Sequence, residues 1–193
     1  KDTKLYLTMS IPADITTDLA DVTATIPYDL LESNDFTITE SQIEPTLFIT
    51  STPPKGTTIK PQEIVNILEL KLEAKNSSIN VNSISLSPEN LPKDMTIIAS
   101  QFPLPTNSSD ILDSVTSTGT QDILVLTFNK ALTIEKDTYK TIKIGATYLN
   151  NIQAGQFKIK IPNGEAINAT VTGTSQKPKI LGTPFPINSE NFT

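Results

Sequence analysis

A chain of 193 residues carrying 15 lysines, no arginine, no histidine, no cysteine and no tryptophan is long enough to bury roughly 70% of its unfolded surface without a metal or disulfide staple. The missing residue types exclude thiol nucleophiles, imidazole bases, zinc sites and the Ser-His-Asp triad, and they lead us to expect a chain that is not an enzyme and holds no metal or cofactor. A net charge of -6 with lysines scattered singly among carboxylates excludes nucleic acid, which requires clustered cations, and no apolar run reaches the roughly 18 residues of a membrane span.

In chain order, Leu5-Tyr6-Leu7-Thr8-Met9-Ser10-Ile11 opens the chain with an alternating strand, and Thr and Ile favour extended backbone throughout. Weaker strands are predicted over 22–26, 36–39 and 46–50. Residues 68–74 read as a strand, because an extended backbone segregates Glu69 and Lys71 from the leucines, with room for a turn of helix just before. Strands over 79–86, 96–102, 123–128, 132–134, 141–148, 157–161 and 167–171 follow. In 79–86 the apolar parity switches between Val81 and Ile84, which predicts a β-bulge near Asn82-Ser83. Ile123-Leu124-Val125-Leu126 is apolar on both sides and reads as a central strand covered on both faces.

Turn signals stand between these runs at Pro53-Pro54-Lys55-Gly56, Ser87-Pro88, Leu91-Pro92, Asn150-Asn151 and Pro162-Asn163-Gly164. Residues 103–121 read as a long exposed loop. Many short strands so punctuated predict an all-β, antiparallel β-sandwich of immunoglobulin-like or jelly-roll type. The expected organisation is an N-terminal strand over 1–12, a sandwich over 13–176 that is most regular from about 61, and an extended C-terminal tail over 177–193 containing Pro178, Pro184 and Pro186. Whether residues 1–60 form a separate domain stays open.

From Pro53 onward the order of features is informative. A Pro/Gly turn leads into Ile67-Leu68-Glu69-Leu70-Lys71-Leu72-Glu73-Ala74 and then Ile79-Asn80-Val81-Asn82-Ser83-Ile84-Ser85-Leu86. Later come Leu132-Thr133-Ile134, a polar turn, Thr141-Ile142-Lys143-Ile144, Ala154-Gly155-Gln156-Phe157-Lys158-Ile159, and the closing Val171-Thr172-Gly173. This resembles the β-sandwich modules of prokaryotic cell-surface proteins, of the kind found in S-layer-associated, pilus and adhesin proteins. The resemblance implies a role in cell-surface architecture and brings no catalytic residue with it. Pilins of this kind end in a sortase signal, and Leu91-Pro92-Lys93-Asp94 is not one.

The N-terminal strand carries the sharpest expectation. An alternating strand followed by Pro12 can complete a neighbour's sandwich, giving backbone bonds along an edge and apolar side chains to the core; such a head-to-tail contact need not close and makes filaments. Leu5, Leu7, Met9 and Ile11 are the residues it inserts, with pairing inside its own domain as the alternative. Candidate N-glycosylation sequons begin at Asn76, Asn107, Asn168 and Asn191. Asp110 with Asp113, and Asp35 with Glu40 and Glu44, are loop carboxylates of the kind that bind calcium, but no D-x-D-x-D-G loop is present and a solvated surface is the preferred reading. A lysine isopeptide bond would require a buried lysine, whereas the lysines sit on polar strand faces.

Two functions are therefore expected. The first is an extracellular structural subunit, located at the cell surface after removal of a signal peptide, that polymerises with copies of itself into a filament or surface layer by donor-strand exchange. The alternative is a monomeric adhesion or carbohydrate-binding module of a larger surface protein, with other surface proteins or glycans as partners.

Overall fold

Leucine at every second position of Leu68, Leu70 and Leu72 cannot be buried by a helix on one stripe, but a pleated strand buries all three on one face. All three are fully buried. The computed structural model describes residues 44–101, 111–149 and 155–193, and contacts group Gln42–Thr193 as one unit. The expected strands over 5–11, 22–26 and 36–39 lie outside the described residues.

Eleven strands follow one another: β1 (Thr46–Ser51), β2 (Val65–Lys75), β3 (Ile79–Glu89), β4 (Thr96–Gln101), β5 (Ile111–Thr116), β6 (Leu124–Ile134), β7 (Tyr139–Thr147), β8 (Lys158–Ile161), β9 (Ile167–Val171), β10 (Lys179–Gly182) and β11 (Ile187–Asn188). They form two sheets. The first has the order β10-β1-β2-β7-β4-β5, the second β11-β8-β3-β6, with β9 also paired to β3. All pairings are antiparallel except β1 with β10. The protein is an all-β sandwich.

Its core is the set of inward side chains from both sheets. Leu47, Ile49, Leu70, Leu72, Ile97, Ile142 and Ile144 from the first sheet join Ile79, Val81, Ile84, Leu86, Leu126, Ile134, Ile159 and Ile161 from the second in one cluster. The parity switch in β3 is resolved by a register shift between Val81 and Ser83, opposite both β6 and β9. That shift keeps Val81 and Ile84 both inward, where each is fully buried. A second shift, between Asn66 and Leu68 opposite β7, lets Ile67 and Leu68 both be buried. The strand therefore begins at Val65 and takes the place of the helical turn allowed there.

Four sequence expectations are corrected. Residues 124–134 form one strand, where two were expected. Ile123 and Val125, expected to be covered on both sides, are 59% and 46% exposed, because β6 ends its sheet's hydrogen-bonding order and only Leu124 and Leu126 turn inward. The expected loop over 103–121 contains β5, paired along β4. The expected tail over 177–193 supplies β10 to one sheet and β11 to the other. Its prolines interrupt it without preventing short segments from pairing, since each needs only an existing edge as template. Phe192 and Phe157 exchange two backbone hydrogen bonds of 2.9 Å, and both rings are buried with centroids 6.1 Å apart.

Candidate assembly site

The two sheets end on one side at β10 and β9, and a cleft of about 780 Å³ separates these edges, lined by Gly164, Ile167, Asn168, Ala169, Pro178 and Ile180, with Glu165 and Lys177 at its rim. Lys179 and Thr183 donate their N–H groups to Pro45 and Ile49 of the β1 side. In an extended strand alternate residues point their backbone groups to opposite sides, so those of Ile180 face away from β1. Thr172 likewise donates to Ser78, and Val171 donates outward to Gln176. By the same alternation Ala169 turns its N–H and C=O away from β3. Among the described residues no strand pairs with either outer edge. The 3-10 turn Gly164–Ala166, capped by Asn163 accepting from the Ala166 N–H, closes one end, where Gly164 lies against Ile180.

The seam thus offers a mixed lining of apolar and polar side chains and, among the described residues, backbone groups without a strand partner on both flanks. That combination can take an added strand, because main-chain bonds hold it and alternate side chains fill the gap. Away from the seam, one charged cluster joins β3 to β8. Glu89, at the end of β3, accepts from Lys158 and Lys160, each at 2.9 Å. These bonds, Lys160 first, hold its carboxyl below the usual glutamate value. A depressed carboxyl stabilises the fold above its unfolded value, and that contribution is lost as the pH falls through the folded one. We expect a carbon-detected NMR titration to place Glu89 below the ordinary range of a glutamate carboxyl, and Lys160→Met to move its midpoint upward. An unmoved midpoint in the variant would refute the assignment.

The candidate residues from the sequence are distributed as follows. Leu5, Leu7, Met9 and Ile11, with Asn107, Asp110, Asp35 and Glu40, lie outside the described residues. Asn168 is exposed on β9 at the seam. Asn191 is exposed next to the buried Phe192. Asn76 takes a left-handed backbone (φ 70°) in the turn between β2 and β3, and its side-chain amide donates to the Glu44 carbonyl at 3.0 Å. Asp113 accepts from the Thr127 N–H, and Glu44 pairs with Lys179 at 3.3 Å. Among the described residues no three metal-ligating side chains come together, and no helix is long and apolar enough to cross a membrane. Sequence reasoning missed Ala169 and Ile180 as edge positions, since the seam arises only when two distant segments end the two sheets on the same side.

No family model matches the chain, and no curated protein matches it. Among solved structures it has a likeness to the protein described as "AvmM Catalyzes Macrocyclization in Alchivemycin A Biosynthesis", at 9% identity and a TM-score of 0.34, over 76% of this chain and 87% of that one. That neighbour is an enzyme, so the expectation that this chain is not one is withdrawn. A likeness of this size carries no argument about what reaction, if any, this chain performs.

Proposed function

We propose that the protein is an extracellular structural subunit that joins copies of itself, in a filament or surface layer, by strand addition at the seam between β9 and β10. The observation that carries this reading is the pair of edges without a strand partner among the described residues, with Ala169 and Ile180 directing backbone groups outward over a cleft that Ile167 and Pro178 also line. Leu5, Leu7, Met9 and Ile11 of a neighbouring copy supply a strand of matching alternation. A cell-surface location, with signal-peptide removal, accords with polar strand faces and with a chain free of oxidisable thiols.

Deleting residues 1–12 is expected to abolish polymer formation and leave a soluble monomer, read by negative-stain microscopy and sedimentation. Ile180→Pro removes an outward N–H together with a side chain packed against the core, so Ile180→Ala is the control, and the proline variant is expected to weaken assembly more than the alanine variant does. Uniform small particles from the intact chain would sink the reading, as would fibres that persist in the deletion.

A further inference from the structure

The outer face of the first sheet carries a row of side chains that the strand-addition reading does not use. Leu181 on β10 is the register partner of Phe48 on β1, Phe48 of Glu73 on β2, and Glu73 of Tyr139 on β7. Inward positions on these strands are Leu47, Ile49, Leu72, Ala74 and Ile142, so the row stands on the opposite face. Leu181 and Phe48 are each 38% exposed and Tyr139 is 59% exposed. The Lys71 ammonium lies 4.2 Å from the centre of the Tyr139 ring. A cation at that distance holds one ring face.

The charges around the row are spent on one another. Lys71 and Lys75 pair with Glu73, Lys143 with Glu69, and Lys179 with Glu44. A polyanion needs cations free to replace its counterions, and this face has none to offer among these four lysines. A second copy is an equally poor match, because a stable interface buries about 800 Å² per partner. Phe48 and Tyr139, each partly covered, present far less, given that a whole aromatic side chain buries about 150–250 Å². What remains is an uncharged ligand with flat apolar faces and hydroxyl edges. Two strand spacings separate Phe48 from Tyr139, about 10 Å. That interval suits an extended β-linked glycan, whose alternate rings present equivalent faces to a flat surface. Thr50 and Thr141, register partners of Lys71, border the row with hydroxyl groups.

We propose that the row Leu181, Phe48, Glu73 and Tyr139 is a platform for a neutral, linear β-1,4-linked polysaccharide, whose sugar rings stack on Phe48 and Tyr139. The row shares β10 with the seam but uses a sheet face and not the strand's outer edge, so Phe48 and Tyr139 test it separately from strand addition.

The test uses the intact chain, with electrophoresis in gels cast with hydroxyethylcellulose and calorimetry with cellohexaose and with chitohexaose. At least one of these neutral glycans is expected to bind. Tyr139→Ala and Phe48→Ala are each expected to weaken binding about tenfold or more, equivalent to about 1.4 kcal/mol, with an unchanged thermal transition. Tyr139→Phe keeps the ring and is expected to retain binding within about twofold, which guards against reading a folding defect as a binding defect. The proposal is overturned if none of the three glycans binds, if binding survives both alanine variants, if dextran sulfate binds in their place, or if Phe48→Ala instead dissociates a dimer.

Discussion

Phe192→Ala is expected to destabilise the protein by about 3–5 kcal/mol, the range for emptying a fully buried aromatic site, although the residue lies in a stretch that reads as a tail. Its ring is fully buried against Phe157, and its backbone exchanges both hydrogen bonds with that residue. The neighbouring Thr193 reaches across in the same way, donating to Thr57 and accepting from Ile59. Loss of the ring therefore opens a cavity and loosens the strap that ties 157 to 57–59. Urea unfolding monitored by circular dichroism measures the effect. A loss below about 0.5 kcal/mol, the ordinary range of a surface change, would show that the segment does not pack as described.

Gly182→Ala is expected to cost about 3 kcal/mol or more, because two separate penalties fall on one methyl group. Gly182 sits at φ 129°, a backbone region that L side chains rarely adopt, worth about 1–3 kcal/mol by itself. An added Cβ would also fall on the Ile49 carbonyl oxygen and lie 2.7 Å from the Ile49 nitrogen. That carbonyl accepts the Thr183 N–H at 2.8 Å, so β10 must lift from β1 to make room. Hydrogen exchange should quicken at Lys179 and Thr183, whose amides face β1, alongside the fall in urea midpoint. Gly173→Ala supplies the comparison: its φ is 78° with nothing within 4 Å of the added carbon, so only the backbone term applies. Equal losses in the two variants would refute the steric argument.

How far the fold could be read from the sequence depended on how local its signal was. Leu68, Leu70, Leu72 and Ile142, Ile144 alternate cleanly, and β2 and β7 lie where that pattern puts them. The parity switch from Val81 to Ile84 even located a bulge, because a strand facing one core must correct its phase to keep both residues inside. β5 was lost among polar residues: in Ile111-Leu112-Asp113-Ser114-Val115-Thr116 the partly buried and polar positions do not alternate. β10 and β11 have four and two residues, each starting directly after a proline, too few for periodicity to register. The seam and the Phe48–Tyr139 row were beyond any local pattern. Both depend on which strand lies beside which, and the parallel placement of β10 next to β1 is decided by the whole topology. The donor-strand residues lie outside the described residues, so the sequence remains the ground for them.

The same parallel pairing has a mechanical meaning. β1 begins at Thr46 and β10 ends at Gly182, and their residues match from Thr46 with Lys179 to Ile49 with Gly182. Tension drawn backward from the start of β1 and forward from the end of β10 runs along both strands in opposite directions. The hydrogen bonds between them lie across that pull, so they bear it together and must slip as a set. In an antiparallel pair held by two adjacent ends, the same force would peel the bonds open one after another. A module arranged in this way transmits stretching force as a clamp once the Phe192 strap and β11, which both follow β10, have been released.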